Sequence, residues 1–456
     1  MAQNQPEPPS INERSSKFKL SGDIRRILSD NILATFATTF AGLLGFSLQA
    51  LVSRTLEPAQ FGSAFALISF YSLVVRPAAT VGRLVAWLTS RERADTEVNN
   101  GDSASLLRST LKWLFAIGVV IALISTSVGS FEAHYFHLNF VDVVFAAAST
   151  PFLLAFQPIL GALQGDRRFK SWSSLNVLLP FTYVILVLAL MIPFGITGVI
   201  AAVTLGSTIT FFVGIWILRD PIWHKSKIRH PLKWSNFTPF LVTGLATTLT
   251  VGVFLSADVI AVQHFFNRIT AGEYSLVAVI GNAMFSVTGG VLSAMFPNIV
   301  ARQARGQRTI GILAVTLTGF IFTTISGALF LQIFGATILR LVAGPRYVAG
   351  ASFIGWYALG MGMVSWAAVL IHAQQARNKL SLLWVLLPTL FLRILLLLLF
   401  HKTIMMVVAL SDILVFVFAI VLMVMYLTDE LKIDTAKMRA ARAPLPDRNS
   451  LAVDTI

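Results

Sequence analysis

Apolar runs of roughly 20 residues recur from Asn31 to Leu427, separated by short gaps that carry charge, glycine or proline. Each run is long enough for a helix to cross a hydrocarbon core of about 30 Å. The pattern predicts spans at roughly 31–53, 61–88, 108–129, 141–164, 172–193 and 195–218. A second set follows at about 237–266, 272–300, 309–334, 351–373, 381–400 and 403–427. The expected fold class is all-α: a polytopic integral membrane protein of about 12 transmembrane helices. The second span is the least regular, because Arg76, Pro77 and Arg83 lie inside it.

The two sets of spans resemble each other. Ala37-Thr38-Thr39 returns as Ala246-Thr247-Thr248, Gly62 as Gly272, Gln164 as Gln374, and Val177-Leu178-Leu179-Pro180 as Val385-Leu386-Leu387-Pro388. These matches are collinear at an offset of about 210 residues, half of the membrane portion. The expectation is two pseudo-symmetric six-helix lobes, an N-lobe over 31–218 and a C-lobe over 237–427, joined by a basic loop at 219–236. An even number of spans in each half gives both the same orientation, so the pseudo-two-fold axis runs along the membrane normal. Ahead of the first span, residues 1–30 are polar, and the alternating basic and apolar positions from Lys17 to Leu28 suit an interfacial helix. Residues 428–456 are polar and carry Pro444 and Pro446, which predicts a disordered tail.

Composition agrees with a chain solvated by lipid. Of 456 residues, 56% are hydrophobic and 12% charged, about half the charged fraction of a soluble domain. The net charge of +14 raises the question of a nucleic-acid partner, and its distribution decides against one. Loops on one side of the predicted topology hold about 26 Lys and Arg and those on the other about five. The basic side is the cytoplasmic one by this asymmetry, with both termini on it, and its cations suit anionic lipid headgroups. No early apolar core ending in small residues marks a cleavable signal peptide, so the first span is expected to act as an anchor.

Soluble catalytic chemistry has no foothold. The sequence holds no P-loop, no H-E-x-x-H and no G-x-S-x-G. The absence of cysteine excludes disulfides, thiolate nucleophiles and Cys-ligated metals. The loop Phe131-Glu132-Ala133-His134-Tyr135-Phe136-His137 offers three potential ligands on a short segment, and interfacial aromatics explain it better than a metal site. Neither an enzyme nor a cofactor is expected.

Candidate chemistry therefore rests on ionisable side chains inside the membrane, each costing about 2.5–3.5 kcal/mol unless paired or hydrated. Arg76 is the deepest and reads as a substrate-cavity residue or as half of a structural ion pair; Arg83, two turns further on the same face and nearer the cytoplasmic end, suits snorkelling to the interface. Asp258 aligns through the repeat with Gln49, placing a polar pair at matching depth in the two lobes, which suits a cavity position; the alternative is a carboxylate capped by nearby hydroxyls such as Ser256 or paired with an arginine. Arg393 and Asp412 flank the hairpin His401-Lys402-Thr403 at similar depth and read as a structural ion pair. Arginines outnumber acids in the first lobe, and a guanidinium forks onto phosphate oxygens, so an anionic headgroup fits better than a cationic drug.

Particular residues resemble a known family. Arg54-Thr55-Leu56-Glu57-Pro58-Ala59-Gln60-Phe61-Gly62 is similar to the R-x-L-x-P-x-x-F-G signature of polysaccharide-export flippases. Asp258 with Ala271-Gly272-Glu273-Tyr274-Ser275 and Phe296-Pro297 resembles a second family pattern; Gly161-Ala162-Leu163-Gln164-Gly165 and Gly344-Pro345-Arg346-Tyr347 fit further positions. The family belongs to the multidrug/oligosaccharidyl-lipid/polysaccharide exporter superfamily. The resemblance implies two V-related lobes in a bacterial inner membrane and movement of a polyprenyl-pyrophosphate-linked oligosaccharide. It adds Arg54 to the substrate-binding candidates Arg76, Arg83, Asp258 and Gln49, H+ or Na+ as a coupling ion, and a polysaccharide polymerase and export proteins as partners. The family's lipid II branch carries additional C-terminal helices, which favours a capsule, O-antigen or exopolysaccharide unit here. Two other readings stay open: an ion-coupled multidrug antiporter with Asp258 as its protonation site, and a membrane polymerase or ligase, which the short external loops disfavour.

Overall fold

The structure, a computed structural model, describes residues 11–94, 102–220, 237–304, 310–375 and 380–442, with side chains omitted over 11–31, 93–94, 102, 287–304, 312 and 432–442. The described residues form helices throughout: α1 (Ile11–Thr55), α2 (Pro58–Val75), α3 (Ala78–Ala94), α4 (Asp102–Ser127), α5 (Gly129–Phe136), α6 (Phe140–Gly165) and α7 (Phe169–Ile217). After them come α8 (Thr238–Phe265), α9 (Arg268–Ala304), α10 (Ile310–Ala343), α11 (Ile354–Gln375), α12 (Leu383–Leu399) and α13 (Ile404–Arg442), with short 3-10 turns at Pro345–Ser352 and Leu380–Leu382.

Ten described segments are long and apolar enough to cross a membrane. One of them, α7, has 49 residues, about twice what a bilayer needs. It divides at Gly195, where φ is 56° and ψ −129°, a backbone region that essentially only glycine occupies. With α7 counted as two spans and the 37-residue α9 as another, the twelve predicted spans are present, and the protein is a polytopic all-α membrane protein.

Three departures from the sequence pattern have physical causes. The second span is two helices, α2 and α3, because Pro77 has no N–H for the helical ladder; the chain turns through bonds from Ala79 N to Arg76 O (3.1 Å) and Thr80 N to Pro77 O (3.0 Å). The segment Lys17–Leu28 is continuous with the first span in α1 rather than a separate interfacial helix. The last helix runs past Thr428 to Arg442, where disorder was expected: Leu431, Lys432, Lys437, Met438, Arg439, Ala440 and Ala441 are strong helix formers that extend an existing helix without a new nucleus. The inter-lobe loop beyond Asp220, with Arg305, Arg308, Arg377, Lys379 and the tail beyond Arg442, lies outside the described residues.

Packing divides the molecule into two lobes joined at one end. At the Lys/Arg-rich end each lobe has a separate apolar core: Leu84, Leu107, Ile159, Leu163 and Leu175 in the N-lobe, Leu317, Leu370, Leu382, Leu414 and Leu422 in the C-lobe. At the opposite end one core runs across both, joining Leu56, Phe61 and Phe136 to Ala271, Tyr274, Tyr347 and Leu397. Inside the N-lobe, α3 and α6 approach so closely that a Cβ on Gly82 would stand 2.6 Å from the Gln157 carbonyl oxygen, the small-residue contact typical of membrane helices. Between the lobes, a Cβ on Gly62 of α2 would stand 2.8 Å from the Cα of Gly272 on α9. Those glycines are repeat equivalents, and a residue meets its own equivalent only on a two-fold axis.

Candidate functional site

Where the lobes part, a cavity of about 550 Å³ opens between them, lined by α1, α2, α3, α6 and α7 of the N-lobe and by α8, α9 and α11 of the C-lobe. Its walls are mostly apolar, with Leu48, Val52, Phe65, Ile68, Leu153, Val251 and Phe285 among them. Against that surface stand a few polar groups: Gln49, Ser72, Arg76, Arg83, Gln157, Thr247, Thr248 and His372. No Asp or Glu is among the described lining residues.

The break between α2 and α3 is what delivers Arg76. It is the last residue of α2's helical path, its N–H bonded to Ser72 O at 3.1 Å, and its side chain extends over Gly252 of α8 in the opposite lobe, where a Cβ would stand 2.6 Å from Arg76 Cδ. Arg83 lines the same cavity and donates from Nη2 to Thr80 Oγ1 at 3.3 Å. The Nε atoms of Arg76 and Arg83 are both buried without a hydrogen-bond partner. Buried donors in this condition cost free energy, so two guanidinium groups around one cavity are poised to accept anionic oxygens.

Gln49 lies in the cavity wall as expected. Its repeat equivalent Asp258 does not: it is 1% exposed, inside the C-lobe, accepting from Tyr274 Oη at 2.8 Å and from Val259 N at 2.9 Å. Arg393 forms an ion pair with Asp258, Nη2 to Oδ2 3.8 Å, and Asp412, the partner the sequence suggested, also lies within reach of its charge. Its Nη1 donates to Ser411 Oγ, and its guanidinium lies 5.5 Å over the Phe254 ring. Ser411 and Asp412 point about 100° apart around α13, so the serine faces Arg393 while the Asp412 carboxylate lies against Gly360 of α11.

Arg54 is also outside the cavity. It is an exposed residue at the joined end, donating from Nε to Val342 O at 2.8 Å and from Nη2 to Leu341 O. It thereby caps the carbonyls of the last turn of α10 from the other lobe, where a cation is favourable. Around it the closure continues: Gln263 Nε2 donates to Ser63 Oγ at 3.0 Å, His264 stacks on Tyr135 at 4.3 Å, and Tyr347 meets Phe61 edge-on at 6.0 Å. Glu132, a residue of the short aromatic loop, turns inward on α5 to accept from Tyr71 Oη at 2.9 Å.

Sequence reasoning passed over His372, Thr247 and Thr248. An ionisable residue within an apolar run is the general signal for such positions, and His372 carries it; the two threonines were visible only as part of the repeat.

No family model and no curated protein matches the sequence. Solved structures do. The lipid II flippase MurJ in an inward closed conformation aligns with a TM-score of 0.69 at 16% identity, over 88% of this chain and 90% of that one. An inward-facing multidrug resistance MATE family transporter of the MOP superfamily aligns at 0.66 and 12% identity, over 90% of this chain and 99% of that one. An outward-facing MATE family transporter of the same superfamily gives 0.61 at 13% identity, over 90% of this chain and 96% of that one. At these identities the likeness is one of fold, and it extends over nearly the whole chain: the protein has the two-lobed helical architecture of MATE and MurJ transporters.

Proposed function

We propose that this protein is an alternating-access flippase of a bacterial inner membrane, carrying a polyprenyl-pyrophosphate-linked oligosaccharide repeat unit outward for exopolysaccharide, capsule or O-antigen synthesis. The observation that carries the reading is the charge of the cavity: among the described lining residues stand two arginines with unpartnered buried donors, a histidine and no carboxylate. An anion is the ligand such a lining stabilises. The pyrophosphate meets Arg76 and Arg83, the sugars occupy the remaining cavity, and the polyprenyl chain stays in lipid. The lobes part at the basic end, which on the positive-inside rule faces the cytoplasm, where such a lipid-linked unit is assembled. The membrane potential, about 2.3 kcal/mol per charge per 100 mV and negative inside, favours outward movement of a substrate of net negative charge.

The test is leaflet accessibility of the lipid-linked oligosaccharide in a deletion strain carrying variants. Arg76→Ala is expected to lower transport about 10- to 100-fold, the worth of one charge-assisted hydrogen bond of about 1.5–3 kcal/mol. Arg76→Lys retains the charge but not the fork and is expected to fall between Arg76→Ala and wild type. Full transport by both variants would remove Arg76 from the mechanism.

A second reading, an ion-coupled multidrug antiporter, is favoured by the largely apolar walls and by the likeness to multidrug resistance transporters. Its protonation site would be Asp258, which is walled off from the cavity and paired with Arg393. Efflux of a cationic dye that disappears in Asp258→Asn, with lipid-linked oligosaccharide accessibility unchanged, would replace the flippase reading with this one.

A further inference from the structure

Among the described lining residues, the arginines all come from one lobe. Arg76 and Arg83 belong to the N-lobe, so an anion held by them alone would travel with that lobe and give the other no cause to move. Among the described lining residues the C-lobe contributes one ionisable group, His372 on α11, near the basic end and facing Arg83.

The ring of His372 is fixed by its own helix. Nδ1 lies 2.6 Å from the Ala368 carbonyl oxygen, and an acceptor at that distance requires Nδ1 to be the protonated, donating nitrogen. In the neutral ring Nε2 is then a bare lone pair, which repels phosphate oxygens; with a second proton it becomes a donor. Among the described residues, the hydrogen bond that the structure records for the ring is the one at Nδ1. Among the described side chains, the charged group that faces the ring is Arg83 from α3. From α8 the neighbouring polar groups are the uncharged Thr247, which accepts from Gln375 Nε2 at 2.6 Å, and Thr248. The adjoining α13 carries Asp429 and Glu430, both buried. A cation on His372 faces Arg83 across the cavity, and a diphosphate between them gives each positive group an opposite charge.

Resting on the flippase reading of this cavity, we propose that His372 is the C-lobe half of the anion site: its imidazolium donates through Nε2 to the phosphate oxygens that Arg76 and Arg83 hold from the N-lobe. Each binding event takes one proton from the basic side onto Nε2, and that proton leaves when the anion does. The anion bridges the lobes only while His372 is charged, so substrate and proton are bound and released together. No covalent bond changes; the balance is one anion and one proton per cycle. By linkage, whatever factor protonation adds to anion affinity, the anion adds to protonation.

The experiment is calorimetric titration of farnesyl pyrophosphate into the full-length protein in nanodiscs, from about pH 5.5 to about pH 8.5, in buffers of different ionisation enthalpy. Wild type is expected to bind about tenfold more weakly at the upper pH and, near neutrality, to take up close to one proton more than His372→Gln does. Subtraction of the His372→Gln profile removes the titration of the probe's own phosphate. His372→Lys keeps the cation and is expected to bind with wild-type affinity at low pH and with no added pH dependence. Equal pH profiles and equal proton counts in wild type and His372→Gln would overturn the proposal. Should His372→Gln melt early, wild type alone decides: no proton uptake beyond that of the probe overturns it. If affinity falls in Arg76→Ala yet ignores His372, the proposal fails and the flippase reading stands. If farnesyl pyrophosphate does not bind, or binds equally to Arg76→Ala, the flippase reading fails and the proposal with it.

Discussion

Arg393→Ala is expected to cost about 3–5 kcal/mol of folded-state stability, because it strands a carboxylate in the C-lobe. Asp258 and Arg393 are each 1% exposed, and once the guanidinium is gone Asp258 keeps beside it the neutral hydroxyls of Tyr274 and Tyr357 and a backbone N–H. The cost comes from the orphaned charge more than from the lost attraction, which makes a second variant informative. Arg393→Met with Asp258→Asn removes both charges and is expected to recover most of the stability, as paired buried ions often exchange for uncharged groups of like volume. Thermal unfolding followed by size-exclusion chromatography in one detergent reads both. A single variant that melts like wild type, or a double variant no better than the single, would refute the assignment of this pair as structural.

Gly62→Val is expected to produce the largest change in conformational balance. Its Cβ would meet the backbone of Gly272 and the Ala271 carbonyl carbon at 3.1 Å, and backbone cannot swing aside as a side-chain tip can. Overpacking of this kind costs about 1–3 kcal/mol, a shift of about 5- to 150-fold away from the state in which this end is closed. The separated state has no such contact and is left alone. The protein has no cysteine, so one introduced at Ser63, buried beside Gln263, reports opening through its rate of modification by an impermeant maleimide. Faster modification in Gly62→Val, with a matching result in Gly272→Val, is the expected outcome. An unchanged rate in both would mean that these glycines do not hold the lobes together.

The elements were legible in the sequence because a membrane imposes a length on every helix: all twelve spans appear, including the division at Gly195. Arg76 was legible as a cavity candidate for a related reason, since an ionisable group at depth needs a partner or a water-filled cavity; Arg83, whose place near the cytoplasmic end suited snorkelling, lines the same cavity. The symmetry argument reached Gln49 and failed for Asp258, since a repeat conserves backbone position and leaves each lobe free to fill its interior differently. The Arg393–Asp412 pairing was legible only in part: two adjacent residues on α13 face different neighbours and Asp258 is the carboxylate in contact with Arg393, a distinction of rotation that hydropathy does not carry. Arg54 was placed at a binding site by its signature, whereas its role here depends on how the end of α10 meets the other lobe. That contact joins residues 288 apart, beyond the reach of any local pattern.

The meeting of Gly62 with Gly272 also bears on how such a chain could arise. If the repeat descends from a single lobe that paired with a second copy, the axis position in that ancestor faced itself, and any side chain there would have collided with its own duplicate. One substitution would have been felt twice in the same spot, leaving glycine as the residue that lets the pair assemble. Fusion of the copies into one gene removes the doubling, since either position can now change alone. Both have nonetheless stayed glycine, so the constraint that once belonged to assembly has passed to the closing of a single molecule.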